Sequence, residues 1–271
     1  MASLHLPRGP QRIVCLTEEP TEILYALGEQ ERIVGISAYT VRPSEARRDK
    51  PVVSAFVGGH LGKISALEPD LVIGFSDVQA DWARDLIAAG HAVLILNQRS
   101  IQEILDVIVD LGALVDARPR ALELVAGYMA RLEEIGNRAA SRGTRPRVYF
   151  EEWDEPTICG IRWVSELIAI AGGEDIFADK AAGSLARERF VDAGQIAERN
   201  PELILASWCG KPLDRHALMT REGLEEVDAV VHDCVTEVPA EIILQPGPAC
   251  LTAGLDFLVR EIESVARARP A

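Results

Sequence analysis

Residues 62–73, GKISALEPDLVI, return in related form as residues 194–205, GQIAERNPELIL, which begin 132 positions later. A glycine, an isoleucine, a proline followed by an acid and an aliphatic triplet keep the same register in both copies. Each copy predicts a short helix, a proline turn and a buried strand. This connection is also common on its own, but the shared register favours two related halves of the chain.

A long amphipathic segment lies between the two copies, at residues 119–142, PRALELVAGYMARLEEIGNRAASR. Its proline suits a first helical turn, and Gly143 and Pro146 end the pattern. About 24 residues at roughly 1.5 Å each predict a helix of about 36 Å, the width of a small domain. An ordinary surface helix and a rigid helix joining two lobes are both consistent with this pattern. Five apolar residues at steps of three and four predict its buried face: Leu122, Val125, Met129, Leu132 and Ile135.

Strands and helices alternate on both sides of this segment, which favours the α/β class with parallel sheets covered on both faces. On the C-terminal side we predict strands at 147–150, 203–206 and 229–231, with an acidic loop containing Trp153 after the first. The prediction is two Rossmann-like lobes, residues 12–115 and 144–271, joined by a single long interlobe helix within 116–143. Since ligands bind at the carboxyl ends of parallel strands, we expect the ligand in the cleft between the lobes.

The composition excludes several classes of function. The chain has 28 basic and 42 acidic residues, and its net charge of −14 would repel nucleic acid and anionic membrane surfaces. No apolar run approaches the roughly 20 residues of a membrane span, so membrane insertion is not expected. No GxSxG elbow, P-loop or HExxH motif occurs, so we predict a protein that is not an enzyme, has no catalytic residues and requires no cofactor.

The N-terminus and the cysteines bear on the cellular compartment. Residues 1–16, MASLHLPRGPQRIVCL, lack the basic and apolar regions of a secretory signal, which predicts a cytoplasmic protein, or a periplasmic one whose signal was trimmed. The five cysteines form no CxxC pair, so neither a disulfide framework nor a metal site is indicated.

Several motifs together resemble one family. The segment 12–37, RIVCLTEEPTEILYALGEQERIVGIS, with a Tyr-x-x-x-Pro loop at 39–43, is similar to the opening of the cobalamin- and siderophore-type substrate-binding proteins of bacterial ABC importers. LEPDLVI at 67–73 and AGGEDIF at 171–177 continue the resemblance, which spans roughly residues 12–265. It implies two α/β lobes on one long helix, and the vitamin B12-binding branch is the most similar. Cobalamin or another corrinoid is therefore the expected ligand.

Large aromatic residues line the cleft in that branch, and flat rings suit a broad, mostly apolar corrin. Phe56, Phe75, Trp153 and Phe190 fall at or beside such positions, and Trp208 follows the second repeated strand as Phe75 ends the first. Core packing is the alternative for each of them.

Polar candidates come mainly from residues 151–166, EEWDEPTICGIRWVSE. Arg162 and Trp163 begin a helix whose N-terminus we expect to face the ligand. Arg162 could bind a ligand oxygen or pair instead with Glu151 or Asp154. The full set of predicted ligand-binding residues is Glu18, Tyr39, Phe56, Phe75, Glu152, Trp153, Arg162, Trp163, Phe190 and Trp208.

One feature departs from the family pattern. Exported members resembling this chain carry a glutamate on the outer surface of each lobe, within the repeated helices, that docks onto the permease. This chain has Gly62 and Gly194 there, with Glu68 or Glu198 as possible replacements. An ABC permease partner is therefore doubtful.

The leading hypothesis is a non-enzymatic binding protein for a cobalamin-like corrinoid, acting in the cytoplasm. One alternative is a periplasmic importer component, for cobalamin or a ferric siderophore, whose signal has been removed. A second alternative is a metal-handling enzyme that uses Cys159, Cys209 and the acidic loop.

Overall fold

A computed structural model of the chain describes residues 9–55 and 58–268. The chain divides into two compact units, the first comprising residues up to 98 and 102–127 and the second 99–101 and 128 onward. Each unit contains a largely parallel sheet with helices, so the predicted α/β class is confirmed. Within the described residues, no helix is both long and apolar enough to cross a membrane.

The first unit is built on a sheet whose strand order is β4-β3-β2-β1-β5-β6. Its strands are β1 (Ile13–Cys15), β2 (Ile33–Ser37), β3 (Val52–Ala55), β4 (Gly58–Gly59), β5 (Leu71–Phe75) and β6 (Val93–Leu96). Its helices are α1 (Glu18–Ala26), α2 (Ser44–Asp49), α3 (Leu61–Ala66), α4 (Ala80–Ala88) and α5 (Ile101–Leu114). All described pairings are parallel except β3 with β4. The central strand β1 is fully buried, as expected for a strand covered on both faces.

The helix α6 (Arg118–Ala140) begins in the first unit and ends in the second, and the division falls between Gly127 and Tyr128. Its existence confirms the predicted long helix, but the predicted buried face was partly wrong. Leu122 and Met129 are 44% and 54% exposed. The residues that α6 buries are Ala121, Val125, Leu132, Ile135 and Ala139.

The second unit has a sheet of order β11-β10-β7-β8, and β9 pairs with the start of β7. Its strands are β7 (Arg147–Asp154), β8 (Thr157–Cys159), β9 (Glu174–Asp175), β10 (Leu203–Ala206) and β11 (Val235–Glu237). Its helices after α6 are α7 (Arg162–Ala171), α8 (Ala178–Ala181), α9 (Ala193–Arg199), α10 (Arg215–Met219), α11 (Asp228–Val231), α12 (Ala240–Ile243) and α13 (Leu255–Ala268). The core beside this sheet includes Tyr149, Phe177, Ile204 and Leu218.

Two sequence predictions in this unit were wrong. Residues 229–231 belong to α11, and the edge strand is Val235–Glu237. A run of three apolar residues cannot by its periodicity distinguish a strand from a helical turn. The predicted acidic loop is instead the second half of β7, which turns through Glu155 and Pro156 into the antiparallel strand β8.

The repeated segment has the same structural role in each unit. In the first, the Asp70 carboxylate accepts a hydrogen bond from the backbone N–H of Arg12 at 2.9 Å, just before β1. In the second, the Glu202 carboxylate accepts one from the backbone N–H of Arg147 at 2.9 Å, at the start of β7. The acid after each proline therefore fixes the beginning of the neighbouring strand.

The residue before each proline also adopts the same backbone conformation. Glu68 and Asn200 have φ of 46° and 40°, the left-handed region that commonly ends a helix. The Nε atoms of Arg12 and Arg147 donate to the carbonyl oxygens of Glu68 and Asn200, at 3.1 and 2.7 Å. The two copies of the repeat thus end a helix and begin the neighbouring strand in the same way.

Candidate ligand-binding site

The carboxyl ends of three strands of the second unit lie side by side. Ala206 of β10 pairs with Glu151 of β7 on one side and with Glu237 of β11 on the other. Because all three strands run parallel, residues at or just beyond their carboxyl ends collect at one edge of the sheet, among them Trp153 near the end of β7 and Trp208 after β10. This is the edge at which open α/β sheets bind ligands.

Glu151 is a fully buried carboxylate at this edge and is held by several donors. Arg221 donates to it twice, with Nη1–Oε2 and Nη2–Oε1 distances of 2.6 and 2.9 Å. The Trp208 indole N–H donates to Oε1 at 3.1 Å and the Tyr149 hydroxyl to Oε2 at 3.0 Å. Burial raises the pKa of Tyr149 well above its ordinary value, and the nearby Glu151 charge raises it further. The network neutralises the buried charge and fixes the ring of Trp208.

Two tryptophan rings share one cation. The Lys211 ammonium lies 4.4 Å from the ring centroid of Trp153 and 4.7 Å from that of Trp208. Both distances are within the range of cation–π attraction. Asp154 accepts hydrogen bonds from the same ammonium at 2.6 and 2.8 Å. Burial alone would raise the pKa of Asp154, but the hydrogen bond from Lys211 and its charge lower it overall.

A cavity of about 480 Å³ adjoins this group. Its wall includes Ser207, Trp208, Lys211, Glu237, Val238 and Glu241. This volume lies within the range of small-molecule sites. The Ser207 residue is 1% exposed, and among the described residues its hydroxyl has no hydrogen-bond partner. The cavity therefore combines an aromatic wall, two carboxylates and a buried hydroxyl whose hydrogen bonds are not used.

The structure brings Trp153 and Trp208 together at this edge, where Trp208 is 5% exposed and Trp153 packs against the same core. A ligand-binding role for either tryptophan stays a prediction. The other predicted residue on β7, Glu152, forms an ion pair with Arg189, with Nη1–Oε2 and Nη2–Oε1 distances of 2.6 and 3.0 Å. Arg189 also donates to the Cys159 carbonyl oxygen at 2.6 Å. The Glu152 carboxylate is thus already used within the protein, and its role in ligand binding stays a prediction.

The remaining candidates of the second unit have different surroundings. Arg162 is exposed and pairs with Glu166 at 2.8 Å, rather than with Glu151 or Asp154. Trp163 is buried, and its indole N–H donates to the Ile243 carbonyl oxygen at 2.9 Å, a contact typical of a core residue. Phe190 is 42% exposed beside β8, where it bridges to Ile158. The ligand-binding roles of these three residues also stay predictions.

In the first unit, three candidates follow neighbouring parallel strands. Glu18 comes after β1, Tyr39 after β2, and Phe75 is the last residue of β5. Glu18 and Phe75 are buried, and Tyr39 is 49% exposed. Parallel pairing of β1 with β2 and β5 brings them to the carboxyl edge of the first sheet. Phe56 lies outside the described residues.

The cysteines give little support for metal chemistry. Burial raises the pKa of Cys159 to about 12, with a further contribution from Asp175, so this thiol stays protonated at neutral pH. Cys209 is exposed. Residues 9–55 and 58–268 contain no group of three or more histidine, cysteine or acidic side chains that could hold a metal ion.

Sequence reasoning missed Ser207, Lys211, Arg221 and Glu237. Ser207 and Lys211 lie in the loop directly after β10, a position that could have marked them. Arg221 is separated from Glu151 by 70 positions, and no local pattern indicates that they meet.

A family model for periplasmic binding proteins matches residues 13–242. The chain belongs to the periplasmic binding protein family. Its members are solute-binding proteins of transporters and are not enzymes, which confirms the expectation of a non-enzymatic binding protein. The hypothesis of a metal-handling enzyme is accordingly not supported.

Two relatives of this periplasmic binding protein match nearly its whole length. One is an uncharacterised ABC transporter substrate-binding lipoprotein of Bacillus subtilis, 26% identical over 95% of this chain and 81% of the relative. The other is a vitamin B12-binding protein of Vibrio parahaemolyticus, 28% identical over 99% of this chain and 95% of the relative.

Solved structures show the same fold. The periplasmic vitamin B12-binding protein BtuF of Vibrio cholerae is similar with a TM-score of 0.74 and 24% identity, covering 97% of this chain and all of that one. The periplasmic heme-binding protein RhuT of Roseiflexus has a TM-score of 0.77 and 22% identity, covering 95% of this chain and all of that one. The fold therefore accommodates different ligands, and it does not by itself choose between them.

Family membership changes two expectations from the sequence. The chain is a substrate-binding protein of the type that serves ABC importers, so the doubt about a permease partner is not supported. The expectation of a cytoplasmic protein is not supported either, since the relatives are described as a lipoprotein or as periplasmic.

Proposed function

We propose that this protein binds a cobalamin-like corrinoid and delivers it to an ABC importer. The ligand contacts the edge of the second sheet formed by Trp153 and Trp208. The observation that carries the proposal is this tryptophan pair beside a 480 Å³ cavity, in a chain similar over 99% of its length to a vitamin B12-binding protein.

The chemistry of the site suits a corrin ring. A corrin is a broad, flat and mostly apolar macrocycle. The indole rings of the two tryptophans offer it a large apolar surface, and each ring is held in one orientation. The Glu151 hydrogen bond holds Trp208 in place before the ligand arrives. Fixing the ring beforehand lowers the entropy cost of binding.

Gly62 and Gly194 stand where the sequence comparison expects glutamates that dock onto a permease. Gly62 is exposed on α3, and a Cβ atom there would meet no other atom within 4 Å. A Cβ atom on Gly194 of α9 would lie 3.2 Å from the Asp192 carboxylate. Whether these two positions take part in docking onto a permease is not tested by the structure.

Cyanocobalamin should quench the tryptophan fluorescence of the protein in a saturable titration. We expect Trp153→Ala to weaken binding by about 1–3 kcal/mol, roughly 5- to 150-fold, because the ring surface buried against the ligand is lost. Heme and a ferric hydroxamate siderophore should compete weakly or not at all.

Phe257→Ala provides the matched control. Phe257 lies on α13 beneath the Arg260 guanidinium at 4.5 Å, much as Trp153 lies 4.4 Å from the Lys211 ammonium. Its removal should leave the affinity unchanged. The corrinoid proposal is rejected if cyanocobalamin gives no saturable signal while heme or the ferric siderophore does.

A further inference from the structure

The cavity beside Trp208 has an unusual balance of charge. Lys211 is the one cation among its described lining residues, and Asp154 neutralises it through two hydrogen bonds of 2.6 and 2.8 Å. The carboxylates of Glu237 and Glu241 remain on the wall. The Glu237 carboxylate is also fixed in place, because Oε1 accepts a hydrogen bond from the Leu213 backbone N–H at 3.0 Å. The cavity is therefore net negative.

A second observation points to a polar ligand group in the same place. Ser207 lies on the cavity wall, is 1% exposed, and among the described residues its hydroxyl has no hydrogen-bond partner. Leaving a buried hydroxyl without a partner costs free energy in the ligand-free protein. A ligand group that supplies the missing hydrogen bond would recover that free energy on binding.

The negative charge and the buried hydroxyl together favour an uncharged ligand group over an anionic one. A primary carboxamide offers N–H donors to carboxylates and a carbonyl acceptor to a hydroxyl. A carboxylate offers no donor and would be repelled by Glu237 and Glu241. Corrinoids carry carboxamide arms around the ring, whereas heme carries carboxylate arms.

We propose that this cavity binds carboxamide arms of the ligand, and that Glu237 and Glu241 weaken the binding of ligands with carboxylates at the same positions. The inference rests on the proposed corrinoid function and deepens it. Ser207, Glu237 and Glu241 are then specificity-determining residues, while Trp153 and Trp208 provide the apolar contact.

The test uses ligands that differ by a single group. Cyanocobalamin and its three monocarboxylic acids, each with one propionamide arm hydrolysed to a propionate, are titrated into the purified full chain by calorimetry. At least one acid should bind at least about tenfold more weakly than cyanocobalamin, because its carboxylate approaches two like charges.

The double variant Glu237→Gln/Glu241→Gln should reduce that ratio to within about threefold, since the repulsion is removed while the hydrogen-bonding shape is kept. The control Glu225→Gln/Glu226→Gln removes two exposed acids that line a different groove of the same unit. It changes the net charge equally and should leave the ratio at its wild-type value.

Ser207→Ala separates binding from folding. It should weaken cyanocobalamin binding severalfold without lowering the melting temperature of the ligand-free protein, because no protein hydrogen bond is lost. A merely structural serine would show the opposite pattern.

The outcomes distinguish the two proposals. If cyanocobalamin and all three acids bind the wild type equally, or if the double variant keeps the wild-type ratio, the carboxamide inference is overturned and the corrinoid function stands. If the wild type binds no cyanocobalamin, both are overturned.

Discussion

Glu19 shows how one buried side chain can make stability depend on pH. It is 1% exposed in the first turn of α1, and its Oε1 accepts a hydrogen bond from the Thr17 hydroxyl at 2.9 Å. Burial raises its pKa from the ordinary value of 4.5 to about 7, and the hydrogen bonds from its own backbone N–H and from Thr17 oppose the rise only in part. Between these values the folded protein binds a proton that the unfolded chain does not.

Buried Glu19 makes the folded protein less stable as pH rises. The contribution of Glu19 to stability is fully present below pH 4.5 and is lost as pH rises through about 7. Glu19→Gln should therefore be more stable than the wild type at pH 8 by up to roughly 3 kcal/mol, at about 1.4 kcal/mol per pKa unit. At pH 4.5 the two should differ little.

Urea denaturation at both pH values measures this difference. Glu133→Gln, which changes an exposed glutamate on α6, is the control and should shift stability equally at both. A Glu19→Gln effect that is the same at pH 4.5 and pH 8 would contradict the assignment.

At the scale of elements, α6 shows the limit of helical periodicity. The apolar face predicted from spacing is wider than the face that is buried, so spacing alone did not show which of its residues would be exposed. The structure buries Leu132 at 9% exposure and leaves Leu122 at 44%.

Leu132→Ala should lower the free energy of unfolding by about 2–4 kcal/mol, because a buried side chain is replaced by a cavity. Leu122→Ala, the same substitution two turns or more away on the same helix, should cost less than about 1 kcal/mol. Thermal denaturation of both variants checks the assignment, and equal losses would mean that Leu122 is also buried.

The repeated segments also belong to this scale. Asp70 and Glu202 each fix the start of a central strand, and Glu68 and Asn200 each end a helix with a positive φ. The repeat is therefore explained by equivalent hydrogen bonds within each unit, and it needs no ligand to account for it.

At the scale of the whole molecule, binding and stability are linked. A ligand that binds the folded chain alone stabilises it by about 2.7 kcal/mol at a hundred times its Kd. Cyanocobalamin at that concentration should raise the melting temperature by several degrees. Trp153→Ala should lose at least about a third of this shift at the same ligand concentration, whereas Phe257→Ala should keep it. A shift that is equal in both variants would place the ligand away from Trp153.

The sequence by itself determined the α/β class, the long central helix and the repeated helix–turn–strand segment. These depend on short-range spacing of apolar residues, on proline and glycine, and on chain order, all of which are local. The same local signals placed Trp153 and Trp208 near strand ends, where ligand sites of this architecture form.

Only the tertiary structure decided which side chains meet there. The ion pair of Arg221 with Glu151 and the approach of Lys211 to Trp153 join residues far apart in the chain. It also assigned Asp228–Val231 to a helix and chose the buried face of α6. These outcomes depend on which segments pack against one another. The burial of a side chain and the partner of a charge are set by other segments of the folded chain, so neither can be read from one segment alone.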